Sequence, residues 1–552
     1  MERLGTLRRL DPVLGAIAIL AFALRLAYAL QPHVSFGDES CYVWLAQSLL
    51  QGEYTYYAGK PELHFPPLFP AVLAALHAFA SWEAVTRVAY VLFGVLALAP
   101  AYALGRALYG PRAARLAALL LAVAPAFTST VLVGTTLSEP LYLFLLFAAF
   151  YLVHRASSRG GWASHLGAGA CLSLAYLARP EGLLHFLGAG SYLAAALAAR
   201  FAAKEPAGRA RARAAAAGAA KIAGFAAAFL AVSSPYVDYL YRHTGRISLT
   251  TKSAKTYTTT RGLVVHDGEA FQRDTWGLDQ EGEVRYYAHG EKEGLLALLT
   301  GRYRHRVLSD LRANTSSLIV LFEKPHFFGL IPLLFAFLGF FGTGWSRERL
   351  RAEVFNLWMA APLGAALVYY VTERFFYAAL LPAYFWVALG LEAFSRWLRG
   401  SEFPRPLRAR RFLFAVEVAG LAGLIAAQLV FAQKHFARTT AGDAEVFAAA
   451  AWLERHTPAD ATVLAAGPEI AFHARRRWLP LPVGRVADVV RYAKERGGRY
   501  FCLRSRYANV RPEQKARLFD RPGDLPGIEF LAKLEGGRAP RLWAFVVYRL
   551  NP

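Results

Sequence analysis

The sequence predicts a polytopic α-helical membrane protein with a small α/β domain at its C-terminal end. Hydrophobic residues fill 56% of the 552 positions, far more than a soluble chain with one compact core needs. Long apolar stretches recur over residues 12–435, and each approaches the ~17–25 residues that cross a ~30 Å hydrocarbon layer as a helix. Beyond residue 435 the pattern changes to one amphipathic helix and several short β-rich runs.

About eleven spans are expected, near residues 12–30, 84–108, 113–131, 136–155, 163–178, 182–200, 217–238, 326–342, 353–371, 376–396 and 411–433. Arg8 and Arg9 precede the first apolar run, but no small-residue cleavage site closes it, so it is expected to remain as an anchor. Basic residues cluster in alternate loops: Arg3, Arg8 and Arg9; Arg106, Arg112 and Arg115; His154, Arg155 and Arg159; residues 200–213 with Lys204, Arg209 and Arg211; residues 347–351; and residues 396–411. Because Lys and Arg near span ends stay on the cytoplasmic side, the N-terminus is expected inside and the C-terminus outside. This alternation accounts for much of the net charge of +23, and nucleic acid is not an expected partner.

The expected division is a membrane domain over residues 1–435 and an extracytoplasmic α/β domain over residues 436–552. The membrane domain has outside loops at 31–83 and 241–322. The second of these carries Tyr257, Phe271, Trp276, Tyr286, Tyr287 and Tyr303, too many aromatics for a plain disordered linker. In the tail, a helix is expected over Ala444 to Arg455 and strands near 462–465, 499–503 and 542–548. The three cysteines, Cys41, Cys171 and Cys502, form neither a disulfide framework nor a metal-ligand spacing.

With that topology, several polar motifs converge on the outer face. Asp38 and Glu39 follow the first span in Phe36-Gly37-Asp38-Glu39-Ser40, ahead of His64-Phe65-Pro66-Pro67-Leu68-Phe69-Pro70. Ser138-Glu139-Pro140, Arg179-Pro180-Glu181-Gly182 and Glu373-Arg374-Phe375-Phe376 fall on the same side. Carboxylates at a membrane boundary are costly to desolvate, and functional use is the default hypothesis for them. Such a set suits transfer of an electrophilic group from a lipid carrier to an acceptor hydroxyl. Asp38 would serve as general base. Arg374, with Lys60, His64 or Arg179 as helpers, would stabilise charge on a leaving phosphate, and Glu139 would bind sugar hydroxyls. The proline-rich shelf would support a polyprenyl tail.

Each motif also has a purely structural reading. Asp38 and Glu39 would cap a helix starting near Cys41, and Ser138 would cap one starting at Glu139. Arg374 would anchor the interface beside Phe375, Phe376 and Tyr377. His64 would pack among aromatics, and Tyr54, Tyr56 and Tyr57 would form an interfacial belt.

At these residues the chain resembles the GT-C membrane glycosyltransferases, in particular the family 39-like group of protein O-mannosyltransferases and the lipid A aminoarabinose transferase. The resemblance lies in Gly37-Asp38-Glu39-Ser40-Cys41-Tyr42, in the stretch from Ala46 to Tyr54, and in Pro66-Pro67-Leu68-Phe69-Pro70. It continues through Leu137-Ser138-Glu139-Pro140-Leu141, Ala178-Arg179-Pro180-Glu181-Gly182, and Arg374-Phe375 ahead of Leu381-Pro382. It implies a GT-C fold and a polyprenyl-phosphate sugar donor. It also implies inversion at the anomeric carbon and Asp38 as the catalytic carboxylate. Glu39 is expected beside it as a second catalytic candidate, and Glu139, Tyr42 and Tyr54 toward sugar or acceptor. The acceptor would be a lipid, glycan or protein. No metal is required, although Asp38 and Glu39 offer oxygen ligands to a divalent ion. The aminoarabinose branch carries a Lys directly before the proline pair, where this chain has Phe65, so phosphate binding shifts to Lys60, His64, Arg179 or Arg374.

Two other classes fit less well. A transporter or flippase of a lipid-linked or anionic substrate would place ionisable residues near the midplane and show related halves. A scaffold presenting the outer tail would leave the outer carboxylates without a purpose.

Overall fold

The fold is that of a computed structural model, which describes residues 11–35, 37–55, 59–133, 137–202, 209–251, 264, 267–287, 304–400, 407–538 and 541–551. Arg3, Arg8, Arg9, Phe36, Tyr56, Tyr57, Lys204, Tyr257 and Tyr303 lie outside the described residues.

Helix α1 (Pro12–Ala29) begins with Asp11 as its cap, whose carboxylate accepts from the Val13 N–H, and with proline at the first helical position, where its missing donor does no harm. A polar loop then leads to α2 (Asp38–Leu50) and α3 (Leu68–Leu76). The bundle continues through α4 (Val85–Leu96), α5 (Leu98–Tyr109), α6 (Pro111–Val123), α7 (Ser129–Val133), α8 (Glu139–Arg159), α9 (Trp162–Ala178), α10 (Gly182–Ala202) and α11 (Arg209–Thr244). Helices Leu330–Phe341, Arg347–Ala360, Leu380–Arg399 and Leu407–Thr439 complete it. Gly339 and Gly390 let two of these meet backbone to backbone: a methyl on either would fall within 2 Å of a carbonyl oxygen of the other helix.

Seven helical runs among the described residues are long and apolar enough to cross a membrane. The other expected spans are shorter or interrupted, and prolines account for two of the breaks. Ala124 leaves the helical region at ψ 132 ahead of Pro125, as the residue before proline tends to do. Near Pro362 the Arg347–Ala360 helix tightens into a 3-10 turn, Ala361–Val368.

The C-terminal region forms a five-stranded sheet in the order β2-β1-β3-β5-β4. Its strands are β1 (Thr462–Ala465), β2 (Arg477–Pro480), β3 (Tyr500–Arg504), β4 (Ile528–Arg538) and β5 (Arg541–Leu550). β1 runs parallel to β2 and β3, and β5 antiparallel to β3 and β4. β2 and β4 were not expected from sequence. β2 is four residues ending in proline, and β4 carries Gly536 and Gly537, so neither shows a strong strand signal by itself.

The first loop, the loop after α11 and the sheet domain lock together. In the loop after α11, helix Gly268–Trp276 places Gln272 so that it accepts from Arg511 at 3.0 and 3.2 Å, and the Val483 N–H donates to the Trp276 carbonyl at 2.9 Å. Glu283 pairs with Lys60 of the first loop and lies 3.4 Å from Arg496 of the sheet domain. The domain also grips the segment leading to α2. Asp443 accepts from the Val34 N–H at 2.8 Å, and His473 Nε2 accepts from the Ser35 N–H at 3.1 Å.

That last bond needs His473 neutral. Burial, then Arg87 and His33, pull its pKa down to about 4, against a weaker upward pull from Glu83. Burial and Arg87 likewise bring His33 down to about 4. An unfolded histidine titrates near 6.5, so below that pH the unfolded state binds more protons and the folded state loses ground. The thermal midpoint of the purified protein is expected to fall between about pH 6.5 and 4, less steeply than the two histidines alone would give, because burial raises Asp443 to about 6 and its folded form gains a proton over the same range. His473→Gln, which keeps an acceptor but cannot titrate, is expected to make that fall shallower. An unchanged slope would mean that this contact does not contribute to the acid sensitivity.

Candidate functional site

Gly37 turns the chain into α2 at φ 53, ψ −123, a conformation that favours glycine. It makes Asp38 the first residue of the helix. Arg374, in the short helix Glu373–Phe376, brings Nη1 to 3.6 Å from Asp38 Oδ2. The Asp38 side chain is 35% exposed and that of Arg374 25%, so the pair faces an accessible space. Among the described residues, Arg374 Nε is buried with no hydrogen-bond partner.

Gly37→Ala introduces no clash, since a methyl there meets nothing within 4 Å. The backbone strain of about 1–3 kcal/mol is therefore expected to appear as a lower thermal midpoint and displaced Asp38 chemistry. Gly15, inside α1 and equally open, is the control. Equal behaviour of Gly37→Ala and Gly15→Ala would remove Gly37 from the argument.

A second cluster adjoins the first. Arg179, between α9 and α10, pairs with Glu139 at the start of α8, donates to Ser138 Oγ at 3.2 Å, and lies 3.0 Å from Glu181. Burial alone would raise the Glu181 carboxyl, but Arg179 beside it, helped by Arg374, brings its pKa down to about 2. Leu137, just before this cluster, sits at φ 59, a strained setting for a side chain of its size. Tyr42 lies between the two clusters. Its ring packs against Phe65 and Phe69, each at 5.0 Å, and burial followed by the Asp38 charge keeps its hydroxyl protonated.

Glu39 stands apart from the reacting geometry expected for it. It is 1% exposed and accepts from Thr86 Oγ1 of α4 at 2.6 Å, because consecutive helical residues point about 100° apart. The structure brings Asp38, and not Glu39, to Arg374. Glu139 is likewise buried against Arg179, so its carboxylate serves the ion pair. Tyr54 donates to the Phe65 carbonyl at 2.6 Å and its own carbonyl accepts from Tyr239, which shapes the first loop. Lys60 is paired with Glu283. His64 lies 3.6 Å from Glu62 and stacks on Tyr286 with ring centroids 5.2 Å apart.

Tyr286 itself escaped the sequence reading, which treated it as one aromatic among many. Burial, then the charges of Asp38 and Glu62, keep its hydroxyl protonated, with Arg374 opposing, so the loop after α11 contributes a residue close enough to feel both members of the central pair. No group of three or more His, Cys, Asp or Glu among the described residues is placed to hold a metal ion.

Solved structures with this architecture include the oligosaccharyltransferase of Archaeoglobus fulgidus in the apo form, with a TM-score of 0.59 at 16% identity, covering 90% of this chain and 70% of that one. The archaeal oligosaccharyltransferase AglB from the same organism, in complex with an inhibitory peptide and a dolichol-phosphate, matches at 0.51 and 15%, covering 89% and 69%. ArnT from Cupriavidus metallidurans in the apo state matches at 0.51 and 13%, covering 97% of each chain. The chain therefore has the GT-C fold, as a multi-pass membrane protein with a small C-terminal sheet domain. Residues 64–211 match the family model of dolichyl-phosphate-mannose-protein mannosyltransferase. No curated protein matches the chain.

Proposed function

We propose that this protein moves a sugar from a polyprenyl-phosphate donor to an acceptor hydroxyl at the outer membrane face of the bundle, with Asp38 as general base. The observation that carries the reading is the Asp38–Arg374 pair, 3.6 Å apart and accessible, with a buried guanidinium donor left unused on Arg374.

In the proposed step the acceptor oxygen attacks the anomeric carbon, its proton passes to Asp38, and the bond from that carbon to the phosphate oxygen breaks with inversion. The electron pair leaves with the phosphate, whose growing charge Arg374 stabilises. Of the four cationic residues expected to bind phosphate, Arg374 fits best. Arg179 is committed to two carboxylates, Lys60 to Glu283, and His64 sits beside Glu62. The dolichol-phosphate in the AglB complex supports a lipid-phosphate donor by analogy of fold.

The active site and sheet domain face the extracytoplasmic side of the plasma membrane in this reading, following the basic loops at the other end. The step needs no metal. The acceptor is a lipid such as lipid A, another glycolipid, a polysaccharide or a protein hydroxyl. The test is transfer of labelled sugar from extracted polyprenyl-phosphate donors to membrane acceptors, with Asp38→Asn in the same lipids. Label reaching an acceptor only with the unaltered protein supports the enzyme and identifies the acceptor. Label that moves across the bilayer without changing its chemical form would replace the enzyme with a transporter.

A further inference from the structure

At the end of the bundle away from Asp38, where α8, α9, α10 and α11 meet, lies a cavity of about 200 Å³. Its polar wall is basic. Arg200 near the end of α10 and Lys221 of α11 converge on Gly160, which closes α8: a methyl on Gly160 would lie 3.9 Å from Arg200 Nη1 and 4.0 Å from Lys221 Nζ. Arg200 Nη2 donates to the Ser157 and Ser158 carbonyls, which holds the guanidinium in place. Among the described residues no carboxylate pairs with Arg200 or Lys221. His165 also lines the space.

This basic cavity opens into an apolar one. A groove of about 660 Å³ runs between α10 and α11, lined by alanines and by Leu197, Phe201 and Ile222, which the two spaces share. Alanines leave a furrow between bulkier ridges, and because both helices are apolar enough to span the membrane, the groove meets lipid hydrocarbon. A phosphate at its polar end would replace the carboxylate that the two cations lack. Arg211, with its guanidinium 6.0 Å from the Phe201 ring, adds positive charge at the same end. Lys221 lies 12 residues into α11, so about 18 Å of helix precedes it, and the amine reaches an interface-level cavity along its alkyl stem.

We propose that this composite site binds one anionic glycerophospholipid of the leaflet opposite Asp38, with its phosphate between Arg200 and Lys221 and an acyl chain in the α10–α11 groove. Charge complementarity and the continuity of the basic cavity with the apolar groove select this occupant over a soluble anion or a protein segment. The site is separate from the Asp38–Arg374 pair and stands whether or not the proposed transfer is correct.

The test is native mass spectrometry of the full-length protein, delipidated in detergent and titrated with dioleoyl phosphatidylglycerol, dioleoyl phosphatidylcholine or glycerol phosphate. One phosphatidylglycerol is expected to be retained in preference to phosphatidylcholine, and glycerol phosphate is not expected to displace it. Lys221→Gln should weaken retention about fivefold, the effect of one interfacial charge. Ala219→Phe, which fills the groove, should weaken it without removing a charge. Arg159→Gln removes a charge at the same face outside the cavity and should leave retention unchanged. Equal effects of Lys221→Gln and Arg159→Gln would overturn the proposal. So would efficient competition by glycerol phosphate, or a change of oligomeric state with Ala219→Phe, which would assign the groove to a second copy.

Discussion

Asp38→Asn is expected to reduce sugar transfer by about 10²–10⁴-fold, the range contributed by a positioned general base, with the thermal midpoint nearly unchanged. The substitution keeps the shape of the side chain and removes the basic oxygen. Its effect on folding is expected to be small because Asp38 is partly exposed and its one ion pair among the described residues, with Arg374, is long at 3.6 Å, a type of contact that contributes little to stability. The initial rate of labelled transfer at saturating donor gives the answer, with Asp38→Glu as a partial rescue. A variant within a few-fold of the unaltered protein would remove Asp38 from the chemistry. Glu39→Gln is the contrasting case. Its carboxylate accepts from Thr86 in the α2–α4 contact, so its effect should fall mainly on stability.

Arg374→Gln is expected to lower the rate by about 10²–10³-fold, as loss of one preorganised donor to a developing anion does. Arg374→Lys should recover only part of it, because an ammonium cannot reproduce a planar two-donor fork. The matched comparison is Arg179→Gln. Arg179 is buried between Glu139 and Glu181, and removing it leaves two carboxylates without their cation, a change that costs about 3–5 kcal/mol of stability. The distinction is therefore between a folded, slow enzyme and a poorly folded one. If Arg374→Gln transfers normally while Arg179→Gln folds and does not, the phosphate role belongs to Arg179.

Residues alike in sequence differ once their directions are known. Asp38 and Glu39 are adjacent acids after the same span, and no local pattern separates them. The helix that begins at Asp38 turns one toward Arg374 and the other toward Thr86. Arg179 and Arg374 both read as outer-face arginines, yet partners from α8 and from its own loop commit the first and leave a donor free on the second. Tyr286 had no motif around it. It joins the centre because the described part of the loop after α11 packs on the first loop and on the sheet domain.

The sequence by itself determined that the chain is a membrane helical bundle with a C-terminal sheet domain, and which segments end at the face carrying Asp38. It did not mark the break at Pro125, which falls inside the expected 113–131 span, although proline is a local signal. Hydropathy, charge and proline geometry act within a single segment, so they can be read from consecutive residues. The tertiary structure alone decided which carboxylate meets Arg374, which arginine is already neutralised, and where a cavity opens between α10 and α11. Those properties depend on the direction of a side chain relative to residues hundreds of positions away, and direction is set by packing between segments.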